Sequence, residues 1–508
     1  MKRYLFFTAL LMAVTVHAQQ DLNTAADAVR YSTDNLNGTA RFRALSGAMG
    51  ALGGDMSAIT VNPAGSAVFI YNSGTASVTS YNRSNTANYF GSQATSRDNS
   101  FDLNQLGAVF VFNNNNENAV MNKFSLAFNY ENTSNFDNNI FARGVNQNNS
   151  VADYFLRYAN GIGSEGGITL NTLNTANYAG LNFIDQQAFL GYNAFIIDPV
   201  SENPDNVAYI AADGVNQSSG YYHENSMITT GYNGKIALNF GAQLVNNLYL
   251  GANLNVHFTD YRKSTRFYEN VNNPIGSGLQ SVDFINERYT YGGGFSLDLG
   301  AIYKITEEFR AGVAYQSPTW YRLQDEIRQS IVSNCPECGG TNIVDSGLTF
   351  ILDDYSVKTP SKWTGSLAYI FGKWGLVSVD GSLRDYSNIE YRNSRYNLLN
   401  AELSNDMTTA AEIRAGGELR IKNFSLRGGY RFEQSPYKNG RTMGDLWGVS
   451  TGVGFAFGAS RLDLAYNYFQ RDMDNPFLAA GVTSAGFNDG ARVTTNNNNI
   501  TLSYTLDL

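Results

Sequence analysis

The chain has 508 residues, with 35 lysines and arginines against 44 acidic residues and a formal net charge of −9. That balance argues against a nucleic-acid surface, which needs a basic face. With 32 Tyr, 31 Phe and 49 Gly against only 9 Pro, the composition suits strands, aromatic girdles and turns better than helices.

The N-terminus, MKRYLFFTALLMAVTVHAQQ, has a basic start at Lys2 and Arg3, a short apolar run from Tyr4 to Val16, and small residues around Ala18. It reads as a secretory signal peptide over residues 1–18. No cysteine follows the expected cleavage site, so no lipid anchor is expected there. No later stretch approaches 18 unbroken apolar residues, which argues against a transmembrane helix.

Residues 19–64 come next. Within them ALSGAMGALGGDMSAITVNPA is too glycine-rich for a good helix and too irregular for a strand. Gly47, Gly50, Gly53 and Gly54 allow tight turns and close approach to another surface. Asn62-Pro63 is a turn signal where this segment meets the first strand.

From there about fourteen strands are expected, near 65–82, 101–112, 123–136, 225–243, 248–263, 281–303, 309–326, 355–370, 376–392, 409–421, 424–436, 445–457, 461–473 and 492–508. In LYLGANLNVHF, Leu248, Leu250, Ala252, Leu254, Val256 and Phe258 share one face, and Tyr249, Gly251, Asn253, Asn255 and His257 the other. In EIRAGGELRI, Ile413, Ala415, Gly417, Leu419 and Ile421 alternate with Glu412, Arg414, Gly416, Glu418 and Arg420. The connectors alternate too. The long ones include 83–100, 137–224, 264–280, 327–354, 393–408 and 474–491, and the short ones include 244–247, 304–308, 371–375, 422–423 and 458–460. Long outer loops, short inner turns and an even strand count are the pattern of a transmembrane antiparallel β-barrel over residues 65–508, in a bacterial outer membrane and in contact with its lipid. A spanning sheet must close, because hydrocarbon offers an open edge no hydrogen-bond partner. Residues 19–64 would then begin in the periplasm and fold up into the lumen as a plug.

The longest loop, 137–224, contains VADYFLRYANG, which predicts a short helix with Tyr154, Phe155 and Tyr158 on one face. Those aromatics are either a landing site for an apolar ligand or loop residues packing on each other. Gly161-Ile-Gly163-Ser-Glu-Gly166 fits G-x-G-x-x-G only literally, without a preceding buried strand or a βαβ unit, so nucleotide binding is discounted. Cys335 and Cys338 form a C-x-x-C pair. With no second pair, and only His223 and His257 beyond the signal segment, a zinc site is set aside in favour of a small disulfide clip in an exported loop.

On the expected lumen face lie Arg414, Arg420, Arg427, Arg431 and Arg461, any of which could hold a carboxylate. Glu412, Glu418, Glu433 and Asp463 share that face, so ion-pair ladders are the leading reading. Either histidine could pair with a serine, but no G-x-S-x-G elbow accompanies them and no enzyme is expected. The asparagine runs at 113–116 and 496–499 have no metal-ligand spacing, and neither cofactor nor metal is expected.

The stretch RFRALSGAMGALGGDMSAITVNPAG resembles the N-terminal hatch of the FadL-type outer-membrane transporters, which carry long-chain fatty acids and aromatic hydrocarbons. The matching features are the small-residue run, then Gly53-Gly54-Asp55, then Asn62-Pro63-Ala64. The resemblance implies a fourteen-stranded barrel closed by a hatch that includes Gly47, Gly50, Gly53, Gly54, Asp55, Asn62 and Pro63. It implies passive passage of a hydrophobic ligand from a groove between outer loops, past the hatch, and sideways through a kink in the third strand. That strand is KFSLAFNYENTSNF here, with Asn129 and Asn132 interrupting it. Phe42, inside the matching stretch, joins Tyr154, Phe155, Tyr158, Arg414, Arg420, Arg427 and Arg431 as a candidate ligand contact. A general porin for small polar solutes and a surface-binding barrel are the alternatives.

Overall fold

The computed structural model of the chain describes residues 23–114, 120–162, 166–212, 215, 220–478 and 489–508. The expected signal peptide, the first residues of the 19–64 segment and residues 163–165 of the literal G-x-G-x-x-G run lie outside the described residues. Fourteen wall strands form one closed antiparallel barrel. They are β1 (Ser73–Tyr89), β2 (Ser92–Asn113), β3 (Met121–Asn135), β4 (Tyr221–Leu244), β5 (Leu248–Asn270) and β6 (Ser281–Lys304). Next come β7 (Phe309–Gln316, resumed at Trp320–Cys335), β8 (Lys362–Ile370, preceded by Tyr355–Lys358), β9 (Gly375–Asp385) and β10 (Thr409–Ile421). The last four are β11 (Phe424–Glu433), β12 (Met443–Phe457), β13 (Ser460–Pro476) and β14 (Gly490–Asp507). The ring closes where β1 pairs with β14, from Ser73↔Asp507 to Asn88↔Arg492.

The alternation in the sequence becomes the two faces of the wall. On β5, Leu250, Leu254 and Val256 are 38–58% exposed, whereas Tyr249, Asn253 and Asn255 are at most 4% exposed. On β10 and β13, Ile413, Leu419, Leu462 and Leu464 point out, and Glu412, Glu418, Asp463 and Asn467 are buried inside. Apolar outside and polar inside is the inverse of a water-soluble sheet. It is the arrangement of a membrane-spanning barrel, whose lipid-facing band is about 25 Å tall and edged by aromatic girdles. Here Trp363 and Phe295 sit at one edge, and Phe371, Trp374 and Phe455 at the other.

Several strands run well beyond that band on the outer side, and this corrects the sequence reading. The expected 83–100 loop is the upper part of a continuous hairpin, turned by Phe90 and Gly91 between Tyr89 and Ser92. Both residues have positive φ, as a tight two-residue hairpin turn requires. Residues 63–68, expected to be partly in the first strand, are a short 3-10 helix, so β1 starts only at Ser73. The expected 309–326 and 355–370 strands each break, at Ser317–Thr319 and Thr359–Ser361, where Pro318 and Pro360 lack an amide proton for the ladder. The 376–392 strand ends at Asp385 and resumes only over Glu390–Arg392.

Outside the membrane band, the 137–224 connector folds into a cap with helices α3 (Val151–Ala159), α4 (Leu170–Thr175) and α5 (Phe183–Asn193). Cys335 and Cys338 are joined by a disulfide at the outer tip of β7.

Candidate functional site

The described part of the N-terminal segment, residues 23–69, lies inside the barrel. Its helix α1 (Ala25–Ser32) sits in the outer half, its start held by a capping box between Thr24 and Asp27. Asp27 pairs with Arg288 of β6 at 3.1 Å, and Arg288 pairs with Asp325 of β7 at 2.7 Å. Arg30 lies 3.8 Å from the ring centroid of Tyr261. Burial alone would raise the Asp27 carboxyl, but Arg288 and Arg30 outweigh it and hold that group well below the usual carboxylate range.

Helix α2 (Ala40–Ala44) packs inside the lumen against β11–β14. Its Arg43 is fully buried and donates to Asn467 at 3.0 Å and Asn37 at 3.2 Å. Arg41 pairs with Glu418 at 3.0 Å. The hatch residues expected from sequence follow. Gly50 donates its amide to Asp380 of β9 at 3.0 Å. Gly53 has φ +63, and a Cβ there would lie 2.8 Å from Gly65 Cα, so the turn takes only glycine. Asp55 accepts from Thr39 Oγ1 at 2.7 Å and the Ser57 amide at 3.0 Å. Asn62 donates to the Gly50 carbonyl at 2.7 Å and the Ala301 carbonyl at 3.0 Å, while its oxygen caps the Ala64 amide. The Pro63 carbonyl accepts from Asn239 of β4 at 2.9 Å.

Wall glycines receive this segment. A Cβ at Gly300 would lie 2.0 Å from Asn62 Oδ1, and one at Gly251 would lie 2.3 Å from the Pro63 carbonyl carbon. The sequence singled out the glycines of the segment but not their counterparts in the wall.

The lumen arginines are engaged in two ion-pair clusters. Glu412 receives Arg414 at 2.6 Å, Arg431 at 2.8 Å and Lys362 at 2.8 Å. Glu418 receives Arg420 at 2.6 Å and Arg427 at 2.7 Å, besides Arg41. Asp463 joins the second cluster through Arg427 at 2.6 Å and Arg461 at 2.7 Å. Two cavities adjoin the first cluster. The larger is lined by residues including Tyr31, Lys235, His257, Ser296 and Tyr321. The smaller is lined by residues including Arg414, Arg431 and Glu433. Asp34, Lys362 and Arg384 line both. None of those three was singled out from the sequence. Nor was Lys235, though its alternation with Ile236 and Leu238 on β4 places it inward.

The remaining candidates lie elsewhere. Phe42 is 3% exposed and packs with Leu36, Leu45 and Met49. Tyr154, Phe155 and Tyr158 do share a face of α3, but all three are buried in the cap, with Phe155 against Phe284 at 5.3 Å and Tyr154 bonded to Gln187 at 3.0 Å. They offer no open landing surface, because the cap needs an apolar core of its own. His223, expected in a loop, is on β4 and fully buried between Tyr89 and Glu269, at 2.8 Å from each. His257 lies 2.9 Å from Ser296 Oγ. Ser296 is mid-strand, where the neighbouring amides serve the sheet ladder and are not free to form an oxyanion hole.

The wall itself is interrupted at the third strand. β2 pairs with β3 only from Gln105↔Glu131 to Asn113↔Lys123. β3 stays on β4 up to Asn135, with a register shift between Asn132 and Ser134. The chain then continues as Asn138–Asn146 along β4 and against the inner side of β1 and β2. Above Gln105, β2 has no ladder partner on that side among the described residues. The gap is polar and is closed from within. Asn35 donates its amide to the Thr133 carbonyl at 3.0 Å, Asn37 donates to the Asn132 carbonyl at 2.6 Å, and Asn104 donates to the Gly38 carbonyl at 2.7 Å.

No protein-family model and no curated protein sequence matches the chain. Solved structures do. A FadL homologue from Pseudomonas aeruginosa aligns over 94% of this chain and 99% of its own, at 13% identity and a TM-score of 0.53. The Pseudomonas putida toluene transporter TodX aligns over 94% of this chain and 100% of its own, at 14% identity and a TM-score of 0.50. At such identities the likeness is one of fold.

Proposed function

We propose that this barrel lies in a bacterial outer membrane and passes hydrophobic small molecules without an energy source, with residues 19–64 as its hatch. The observation that carries this reading is the lapse of pairing between β2 and β3 where Asn35–Gly38 close the gap from inside. A ligand leaving by that seam enters the bilayer sideways and need not cross the lower hatch. The two structural neighbours, a FadL homologue and a toluene transporter by name, support the ligand class. We take a long-chain fatty acid as the first ligand to test. Arg414 and Arg431, which line the smaller cavity, are the retained candidates for its carboxylate. Residues 1–18 serve as the export signal in this reading.

One observation favours a second reading. The larger cavity has a polar, charged lining, with Lys235, Lys362 and Arg384 beside Asp34 and Asp298, that also suits small polar solutes, as in a general porin. Uptake of a labelled long-chain fatty acid beside a small sugar into proteoliposomes separates the two. Fatty-acid entry with the sugar excluded is expected, and equal entry of both would overturn the hydrophobic route.

A further inference from the structure

We infer a second binding site, on the outside of the wall, for the phosphate group of an outer-leaflet lipid. It stands independently of the transport reading. A cleft opens where the β7 and β8 strands break, and Gly293 and Gly294 form part of its floor. Across it one register row runs through adjacent strands as Gly293↔Arg322↔Ser356↔Arg392. The neighbouring residues Tyr321, Val357 and Tyr391 are buried in the interior core, so the row itself points outward.

Adjacent strands lie about 4.8 Å apart, so the Arg322 and Arg392 backbones are about 10 Å apart, with the Ser356 hydroxyl between them. Two guanidinium groups at that spacing can close on a single phosphate, and a hydroxyl adds a donor. Two residues further down the strands, the next row is Phe295↔Trp320↔Lys358↔Glu390. The Phe295 and Trp320 rings are 5.0 Å apart and form an apolar ledge continuous with the lipid-facing band. Arg322 is bonded to Asp354, and Lys358 lies 3.6 Å from Glu390, so the two cations that line the cleft and the lysine beside it stand against two neighbouring carboxylates. Cations above and aromatics below, at the girdle, match a lipid headgroup above its acyl chains.

The test is native mass spectrometry of the full chain in detergent, titrated with phosphatidylglycerol or with a neutral diacylglycerol glucoside. One phosphatidylglycerol adduct is expected, weakened about tenfold in Arg322→Gln/Arg392→Gln and likewise in Phe295→Ala/Trp320→Ala. Both double variants change exposed or half-exposed positions, and their heat-dependent gel migration verifies the fold. Unchanged phosphatidylglycerol binding in the arginine variant would overturn the site. So would equal binding of the glucoside. Displacement of the lipid by inorganic phosphate, with no effect of the aromatic variant, would make it a free-phosphate site and overturn the lipid assignment.

Discussion

Two sides of the barrel hold the N-terminal segment in opposite ways. Toward β10–β13, carboxylates and guanidinium groups interlock across strands and reach into the lumen to Arg41. Toward β2–β3, the ladder is open and the segment is held by single hydrogen bonds from Asn35, Asn37 and Asn104. Buried charges fix a wall because removing one strands the rest. Neutral amides can be exchanged for water or ligand at about 1 kcal/mol each. The comparison assigns rigidity to one flank and movement to the other.

The largest test removes the segment altogether. Deleting residues 19–64 should turn a closed barrel into one with large single-channel conductance, and unchanged current would sink the hatch. Next, a short thiol-reactive bridge between Asp102→Cys and Asn132→Cys, whose native side chains meet at 3.0 Å, should seal the seam. Fatty-acid uptake is then expected to fall about tenfold or more if the ligand leaves the barrel through the seam, as proposed. Full uptake by the bridged protein would move the exit elsewhere.

Smaller effects sharpen the contrast. Glu418→Gln leaves three guanidinium groups short of a partner and should cost about 3–5 kcal/mol in chemical unfolding, against about 1 kcal/mol for Asn104→Ala, which removes the bond to the Gly38 carbonyl. Equal costs would erase the distinction between the flanks. In ligand binding, Arg420→Ala and Arg427→Ala should leave fatty-acid affinity within about twofold, and Arg414→Ala or Arg431→Ala should weaken it about fivefold. If all four variants bind alike, the arginines serve only as ion-pair partners.

The smallest effect is on pH. The Asp27 carboxyl is held well below the usual range, so its contribution is complete above the unfolded value of about 3.9 and is lost as pH falls toward the folded one. Hydrogen exchange in Ala25–Ser32 should therefore be equally protected at pH 7 and pH 5, and should quicken only below about pH 4. Release of α1 by pH 5 would contradict that anchoring.

The sequence showed most of the wall and little of what the wall holds. Wherever lipid lies outside and charge inside, as at Leu462/Asp463 or Ile413/Arg414, a period of two is unavoidable and readable. Above the membrane both faces of a strand can be polar. Residues 83–100 therefore lost their alternation and read as a loop, although they are a paired hairpin. The aromatic face of α3 was visible, but its partners, Phe284 on β6 and Gln187 on α5, are distant in sequence. The two cavities escaped notice for the same reason, since Asp34, Lys235 and Arg384 converge from three separate regions. Gly53 and Asn62 were legible as turn residues, whereas Gly300 and Gly251 acquire meaning only once the segment rests on them.

The close fit between that segment and the wall also bears on how the ring is made. Its last join, between β1 and β14, pairs residues from opposite ends of the chain, the most non-local pairing in the barrel. The α2 region touches both sides of that join. Ala40 donates its amide to Ser503 on β14 at 2.7 Å, and Arg43 reaches Thr79 on β1 at 3.3 Å. If the segment is in place when the ring shuts, its grip on both edges makes it a mandrel that lowers the entropic cost of bringing the ends together. The same residues that stopper the finished pore would then help to build it.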